Sequence, residues 1–352
     1  MELMRFVFCV YVILFHCCQK IFNLTTVDKL IFTWAPRGYI GVEFFFILSG
    51  MFFAVSLAKI KSEPGDSKLA GSYLRLLLQK YISVFPYHVV AFVILFAFDA
   101  YRHHGVSVSD ILNVIPGFFL IQRTGISFNN INGVEWYISA MLVAMAIIMP
   151  LAVKYRDLYT KYIAPVSAIL IYGWLIHEFQ TVSGSSEWTI IGYRSVWRAI
   201  AGINLGMFAN ECVIALKKRE FSKKTEVMAV LARYAMWGLT TVFVFCTCNK
   251  KYEVYPIFMM FAAIVLTMRF PIQNALFQNR FVIFLGKMSL PLYLNQILAI
   301  MLVKAYMPNH SHLEICLAVC AVDFILSVPC LYIGNALKKQ IVKKCNLEYR
   351  KK

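Results

Sequence analysis

Residues 4–19, MRFVFCVYVILFHCCQ, form an apolar stretch with one ionisable residue near each end, Arg5 and His16. On an α-helix at about 100° per residue, this spacing places both side chains within roughly 20° of one face and about 16 Å apart along the axis. Ionisable residues inside a membrane helix are costly and usually functional. We therefore predict a membrane helix whose Arg5–His16 face looks into the protein rather than at lipid.

The composition extends this prediction to the whole chain. Of the 352 residues, 60% are hydrophobic and 15% are charged, and the mean hydropathy is +0.66. A soluble protein carries about 25% charged residues, and a helical span needs about 20 mostly apolar residues. The sequence therefore predicts an all-α, polytopic transmembrane bundle of about ten spans. The apolar stretches are 6–18, 39–58, 82–99, 134–153, 162–176, 199–216, 227–247, 254–268, 281–303 and 313–336.

The net charge of +17 is distributed unevenly between alternate loops. With the N-terminus inside, the basic segments 59–81, 154–161, 217–226 and 338–352 share one side of the membrane. This asymmetry follows the positive-inside rule and predicts that both termini are cytoplasmic. The basic residues therefore indicate topology, and we expect no nucleic-acid partner. No hydrophilic stretch is long enough for a soluble domain, which predicts one membrane domain over 1–352 that ends in a basic cytoplasmic tail, 338–352.

The ten cysteines do not indicate a metal site. Most lie inside apolar stretches, and the spacings of Cys17 with Cys18 and of Cys246 with Cys248 do not resemble zinc-ligand spacings. We interpret them as small buried hydrophobes and expect no metal. The chain also lacks the nucleotide-binding, zinc-protease and serine-hydrolase motifs.

Five segments, taken in order, resemble the membrane acyltransferase family 3 proteins, which modify surface glycans. The tryptophan segment at 132–142 is similar to the branch found in capsule and exopolysaccharide gene sets. The five are Arg5-x10-His16, GYIGVEFFFILSGMFF (38–53), SYLRLLLQKYISVFPYH (72–88), NGVEWYISAML (132–142) and LGKMSLPLYLNQ (285–296).

The resemblance implies a multi-pass acyltransferase of the bacterial inner (plasma) membrane. It would move an acyl group, usually acetyl from acetyl-CoA, to a sugar hydroxyl on the outer side. Its expected partners are acyl-CoA, a carbohydrate acceptor and membrane lipids, with a homodimer left open. Within this pattern we assign His16 and Glu43 to catalysis. We assign Arg5, Arg75 and Lys80 to the cofactor, and Asn132, Glu135 and Trp136 to the substrate side.

The predicted topology also suggests how these residues cooperate. The first span runs outward and the second inward, so His16 and Glu43 would each lie roughly 6 Å below the outer surface and could touch. A carboxylate beside an imidazole would fix its tautomer, as in a catalytic triad. The pantetheine arm, roughly 15–20 Å long, is comparable with the distance of about 16 Å from Arg5 to His16. His16 would act as general base or carry the acyl group itself.

The chain departs from the family at three positions. Family members usually have an arginine pair before the proline of the third span, whereas Lys80 and Ser83 precede Pro86 here. A histidine is common where Asn295 and Gln296 stand. Many members carry a glutamate where this chain has Met141, so mechanisms that depend on that glutamate do not apply.

Each candidate also has a purely structural interpretation. Arg5 could snorkel to the interface, and Glu43 could complement the dipole at the start of the second span. Arg75 and Lys80 could be ordinary positive-inside residues, and Trp136 could belong to an interfacial aromatic belt.

Two other functional classes remain open at the level of sequence. Buried His16, Glu43 and Arg198 could form the path of a transporter or channel for a glycan precursor or a small solute. The absence of an apparent inverted repeat weakens that interpretation. The chain could also be a glycan-assembly partner without activity of its own.

Overall fold

The computed structural model describes residues 1–21, 35–60, 66–126, 131–271, 279–307 and 310–345. Within these ranges, ten helical segments are long and apolar enough to cross a membrane, which confirms the predicted all-α polytopic bundle. Residues 346–352 of the basic tail lie outside the described residues. The orientation of the termini remains a prediction.

The described helices include one that is too short to span and one span built from two pieces. Helix α4 has 11 residues, and α6 continues through a π-helical turn, Tyr159–Ile163, into α7. The helices are α1 (Glu2–Ile21), α2 (Gly41–Leu57), α3 (Asp66–Arg102), α4 (Val108–Phe118), α5 (Trp136–Lys154), α6 (Arg156–Leu158), α7 (Ala164–Phe179), α8 (Arg194–Lys217), α9 (Lys223–Phe245), α10 (Val254–Arg269), α11 (Arg280–Tyr306) and α12 (His312–Lys344).

Short elements occupy the connections between the spans. A 3₁₀ turn at Gly38–Ile40 leads into α2, and a second at Lys250–Glu253 leads into α10. Before α8, β1 (Trp188–Thr189) pairs antiparallel with β2 (Gly192–Tyr193). Trp188 is opposite Tyr193 and Thr189 is opposite Gly192.

The last two helices begin at side-chain caps. The Asn279 Oδ1 accepts a 2.8 Å hydrogen bond from the Val282 amide at the start of α11. At the start of α12, the Ser311 hydroxyl and the Glu314 carboxylate each accept from the other's backbone amide. Such caps satisfy amides that the first helical turn leaves unpaired.

Helices α1 and α11 run parallel and in contact. The Cys9 thiol donates to the Ser289 carbonyl oxygen at 3.2 Å, and His16 meets Gln296 further along. Both pairs are 280 positions apart, so the two helices advance together in the same direction. We call the two ends of this helix pair the Arg5 end and the His16 end.

Glycines allow α2 and α8 to pack backbone against backbone. A Cβ added at Gly50 would lie 2.0 Å from the Ile203 carbonyl oxygen, and one at Gly206 would lie 1.9 Å from the Ile47 carbonyl oxygen. Gly202 lies one turn before Gly206, and close contact through such small residues is a common way for membrane helices to associate. This packing fixes α8 beside the Glu43-bearing helix.

The charge asymmetry predicts the side of the membrane on which each loop lies. We expect a cysteine introduced at Lys218 to react only with a permeant maleimide, and one introduced at Ser186 to react with an impermeant maleimide in intact cells. Both side chains are exposed. Native Cys246, Cys248 and Cys345 are also exposed and should first be replaced by serine. Reaction of position 218 with the impermeant reagent would reverse the proposed orientation.

Candidate functional site

A cavity of about 460 Å³ opens among α1, α2, α3, α5, α11 and α12 at the Arg5 end. Of the described residues that line it, four are cationic and none is acidic. The cations come from four different helices, so only the folded bundle brings them together. We call this space the basic cavity, and its cations are Arg5, Lys80, Lys287 and Lys338.

The arginine of the basic cavity is held by its own helix. Arg5 Nη1 lies 3.1 Å from the Glu2 carboxylate, three residues earlier. Glu2 in turn packs against Gly286 of α11, where a Cβ would lie 2.1 Å from the carboxylate oxygen. The Arg5 side chain is 29% exposed, so it is oriented by Glu2 and remains accessible from the cavity.

Two of the three predicted cofactor residues line the basic cavity. Arg5 and Lys80 do, whereas Arg75 is exposed and is not part of the lining. Five helical positions correspond to roughly 140° of rotation, so Arg75 and Lys80 point to different sides of α3. Sequence reasoning missed Lys287 and Lys338. These lysines lie near the ends of long apolar helices, where the positive-inside rule already accounts for a basic residue.

Two tyrosines close the basic cavity toward the His16 end. The rings of Tyr137 and Tyr293 pack edge to face with centroids 5.5 Å apart, and both residues are buried. The Tyr293 hydroxyl donates to the Val134 carbonyl oxygen at 2.7 Å. His16 is not part of the cavity lining and lies beyond these rings.

His16 is half-buried and pairs with α11, not with α2. Its Nδ1 lies 2.9 Å from the Gln296 Oε1, and Gln296 is fully buried. The predicted contact between His16 and Glu43 is therefore wrong. Phe44 stacks on Phe8 with ring centroids 4.4 Å apart, so the first turn of α2 lies level with the middle of α1. By helix rise, Glu43 is about 10 Å closer than His16 to the Arg5 end.

Glu43 belongs instead to a buried ion pair between α2 and α8. The Arg198 Nη2 lies 2.8 Å from its Oε1, and the Arg198 Nε donates to the same oxygen at 2.9 Å. The Tyr172 hydroxyl donates to the other carboxylate oxygen at 2.6 Å. Arg198 also donates to the Gly184 carbonyl oxygen at 3.0 Å. These contacts give Glu43 and Arg198 a structural role that links three helices and a loop.

Trp136 lies inside the bundle next to that ion pair. Its ring packs against the Arg198 guanidinium, with 5.1 Å from the guanidinium carbon to a ring centroid. The residue is buried, so the structure does not place it in an interfacial aromatic belt. Such a cation–π contact adds to the fixed geometry of Arg198.

The other two predicted substrate-side residues belong to a separate polar cluster. Glu135 Oε1 lies 3.2 Å from the Nδ1 of His88, and both side chains are fully buried. His88 Nε2 lies 3.0 Å from the Phe118 carbonyl oxygen, and Asn132 donates to the Leu294 carbonyl oxygen at 2.9 Å. Burial raises the pKa of the Glu135 carboxyl. His88 was not among the sequence candidates, although it stands two positions after Pro86 in an apolar span.

This geometry defines the class of protein. The protein is a bundle of membrane-spanning helices. One of these helices, α1, carries Arg5 of the basic cavity at one end and the hydrogen-bonded His16 at the other. A family model described as an acyltransferase domain, Acyl_transf_3, matches residues 1–334. The chain therefore belongs to acyltransferase family 3 and is a membrane acyltransferase. Comparison with curated proteins and with solved structures gave no significant match.

Proposed function

We propose that the protein transfers an acetyl group from cytoplasmic acetyl-CoA to a hydroxyl of a surface or exported glycan. The observation that carries this proposal is the basic cavity at the Arg5 end of α1, whose opposite end presents His16. An acyl donor that is anionic at one end and reactive at the other matches this arrangement, with cations at one end of α1 and a histidine at the other.

The basic cavity suits the nucleotide end of the donor. Phosphate oxygens form their strongest hydrogen bonds with charged donors, and arginine offers planar, bidentate geometry. Asn335 adds an uncharged hydrogen-bond donor. The Tyr87 hydroxyl donates to its Oδ1 at 2.7 Å, which leaves its amide nitrogen as a donor on the cavity wall. Because no described lining residue is acidic, the field in the cavity favours an anion.

The pantetheine arm would connect the two ends of α1. The helix rise from Arg5 to His16 is about 16 Å, and the arm spans roughly 15–20 Å. Tyr137 and Tyr293 line the cavity, and Tyr293 lies one helical turn before Gln296, which contacts His16. We therefore expect the arm to pass beside these rings.

The chemistry then needs one base near the thioester. His16 takes the proton of the acceptor hydroxyl while its oxygen attacks the thioester carbonyl carbon. The C–O bond forms, the C–S bond breaks, and the departing thiolate takes the proton from His16. In the other route His16 attacks the thioester carbonyl carbon first, the C–S bond breaks and the CoA thiolate leaves. The acceptor hydroxyl then attacks the acyl-histidine, the C–N bond breaks, and the hydroxyl proton passes to the thiolate by way of the released imidazole.

The acceptor assignment rests on the family resemblance. The segment 132–142 is similar to the capsule and exopolysaccharide branch, which supports a carbohydrate acceptor and a place in the bacterial inner membrane. A direct test compares the mass of the surface glycan from cells with and without the gene. Loss of one acetyl group per modified sugar supports the proposal, whereas an unchanged glycan mass contradicts the acceptor assignment.

Replacing the cavity cations should weaken donor binding. A hydrogen bond to a charged group is worth about 1.5–3 kcal/mol, so we expect Arg5→Ala or Lys80→Ala to raise the Kd for acetyl-CoA roughly 10- to 100-fold. Titration of purified protein with acetyl-CoA measures this. Arg75→Ala is the matched control, because Arg75 lies on the same helix as Lys80 but outside the cavity lining. Equal affinity in all four proteins would place the nucleotide elsewhere.

A further inference from the structure

We propose that Gln296 is a positioning residue that holds His16 with its proton on Nδ1, so that Nε2 is free to act as the base. The catalytic meaning of this assignment rests on the proposed function. The tautomer itself is a property of the folded protein and can be measured without any substrate.

The orientation of the Gln296 amide follows from its two neighbours. Its Nε2 lies 2.8 Å from the Tyr293 carbonyl oxygen. A carbonyl oxygen only accepts hydrogen bonds, so the amide nitrogen of Gln296 must be the group that faces it. The amide oxygen therefore faces His16 Nδ1 at 2.9 Å.

The tautomer of His16 follows in turn. An amide oxygen has no proton to give, so the nitrogen of His16 that faces it must donate. The proton of the neutral imidazole then lies on Nδ1, and Nε2 carries the lone pair. A base that takes a hydroxyl proton needs that lone pair.

The protein fixes both partners before any substrate arrives. Gln296 is fully buried on a helix whose neighbouring residue Tyr293 is tied to Val134. Helices α1 and α11 are joined again at Cys9 and Ser289. A third polar link follows further along, where the Lys304 Nζ donates to the Lys20 carbonyl oxygen at 3.3 Å, so the His16–Gln296 pair lies between two other hydrogen bonds of the same helix contact.

A neutral amide suits this position better than a carboxylate. A catalytic triad uses an acid to hold the tautomer, but an unpaired carboxylate within a membrane protein is costly. Gln296 supplies an acceptor oxygen at no cost in charge. The nearest buried carboxylate on α2, Glu43, is already neutralised by Arg198.

Histidine ¹⁵N NMR of the purified protein tests the tautomer directly. The His16 signals are identified by their loss in His16→Ala. We expect the Nδ1–H form in wild type and a mixture of both forms in Gln296→Met, which keeps the side-chain length but removes the acceptor. Asn295→Leu is the matched control, because Asn295 is the adjacent buried amide and bonds to Pro291 and Ser327 instead. It should leave the His16 signals unchanged.

Steady-state kinetics then test the role. With acetyl-CoA alone as the probe and release of free CoA thiol as the readout, we expect Gln296→Met to lower kcat about 10- to 100-fold, as for other partners that orient a functional histidine, and to leave the KM for acetyl-CoA within twofold. Gln296→Glu keeps an acceptor oxygen and should recover most of the lost kcat.

The outcomes separate the two proposals. An Nε2–H form in wild type, or an unchanged His16 spectrum in Gln296→Met, overturns the assignment of Gln296 whatever the activity. An equal loss of kcat in Asn295→Leu would reduce Gln296 to a packing residue. Absence of acyl transfer in wild type with the Nδ1–H form intact would reject the proposed function and leave the tautomer assignment standing.

Discussion

His16→Ala should lower acyl transfer by roughly 10²–10⁴-fold, the range for loss of a general base. The substitution removes the imidazole that Gln296 holds in a fixed orientation at the His16 end of α1. Alanine is the best helix former, so α1 should still insert. The rate of acetyl transfer by purified protein, at equal protein concentration, measures the effect.

The matched control is His103→Ala, because the His103 side chain is 68% exposed and far along the chain from α1. It should retain wild-type activity. A well-folded His16→Ala protein with near-normal transfer would remove His16 from the mechanism. Binding of acetyl-CoA should be unaffected, since the basic cavity does not include His16.

The His16→Ala variant can also distinguish the general-base route from the acyl-histidine route. If His16 carries the acyl group, rapid denaturation of wild type with radiolabelled acetyl-CoA at neutral pH, where an acyl-imidazole hydrolyses more slowly than in acid, should leave label on the protein, and His16→Ala should leave none. If His16 acts only as a base, neither protein should retain label.

The helical bundle was predictable because hydropathy is a local property. Each span needs about 20 apolar residues in a row, and these runs can be read without knowing which helices touch. The shared face of Arg5 and His16 followed from helix geometry alone. The structure agrees, since Arg5 faces the basic cavity and His16 faces α11.

The partners of the site residues were not predictable because they depend on helix packing. Gln296 is 280 positions from His16, and no local pattern indicates that α11 lies beside α1. The predicted contact between His16 and Glu43 was wrong for a similar reason. The 3₁₀ turn at Gly38–Ile40 packs against α1, where a Cβ at Gly38 would lie 2.0 Å from the Tyr11 carbonyl oxygen. This contact determines how deep α2 lies in the bundle. The sequence analysis had instead placed α2 by its expected distance from the membrane surface.

The cations of the basic cavity illustrate the limit of charge patterns. Arg5 was identified because a charge interrupts an apolar helix. Lys287 and Lys338 lie near helix ends, where lysine is ordinary. Only their convergence with Arg5 and Lys80 on one cavity distinguishes them from the other basic residues.

Arg198→Leu should destabilise the folded protein by about 3–5 kcal/mol, the cost of leaving one partner of a buried ion pair uncompensated. Glu43 is fully buried and would keep only the hydrogen bond from Tyr172. We expect a clear drop in the unfolding temperature of purified protein in detergent. Arg156→Leu is the control, because the pair between Arg156 and Asp157 is exposed and should contribute at most about 1 kcal/mol.

The double variant Glu43→Gln with Arg198→Leu shows whether charge is the cause. Gln at position 43 can still accept from Tyr172, and no buried charge is then left without a partner. Replacing both members of a buried pair is often nearly neutral, so the double variant should be more stable than Arg198→Leu alone. If Arg198→Leu does not insert, recovery of the folded protein in the double variant reports the same effect. An unfolding temperature equal to that of wild type in Arg198→Leu would mean that the ion pair makes no measurable contribution to holding α2 and α8 together.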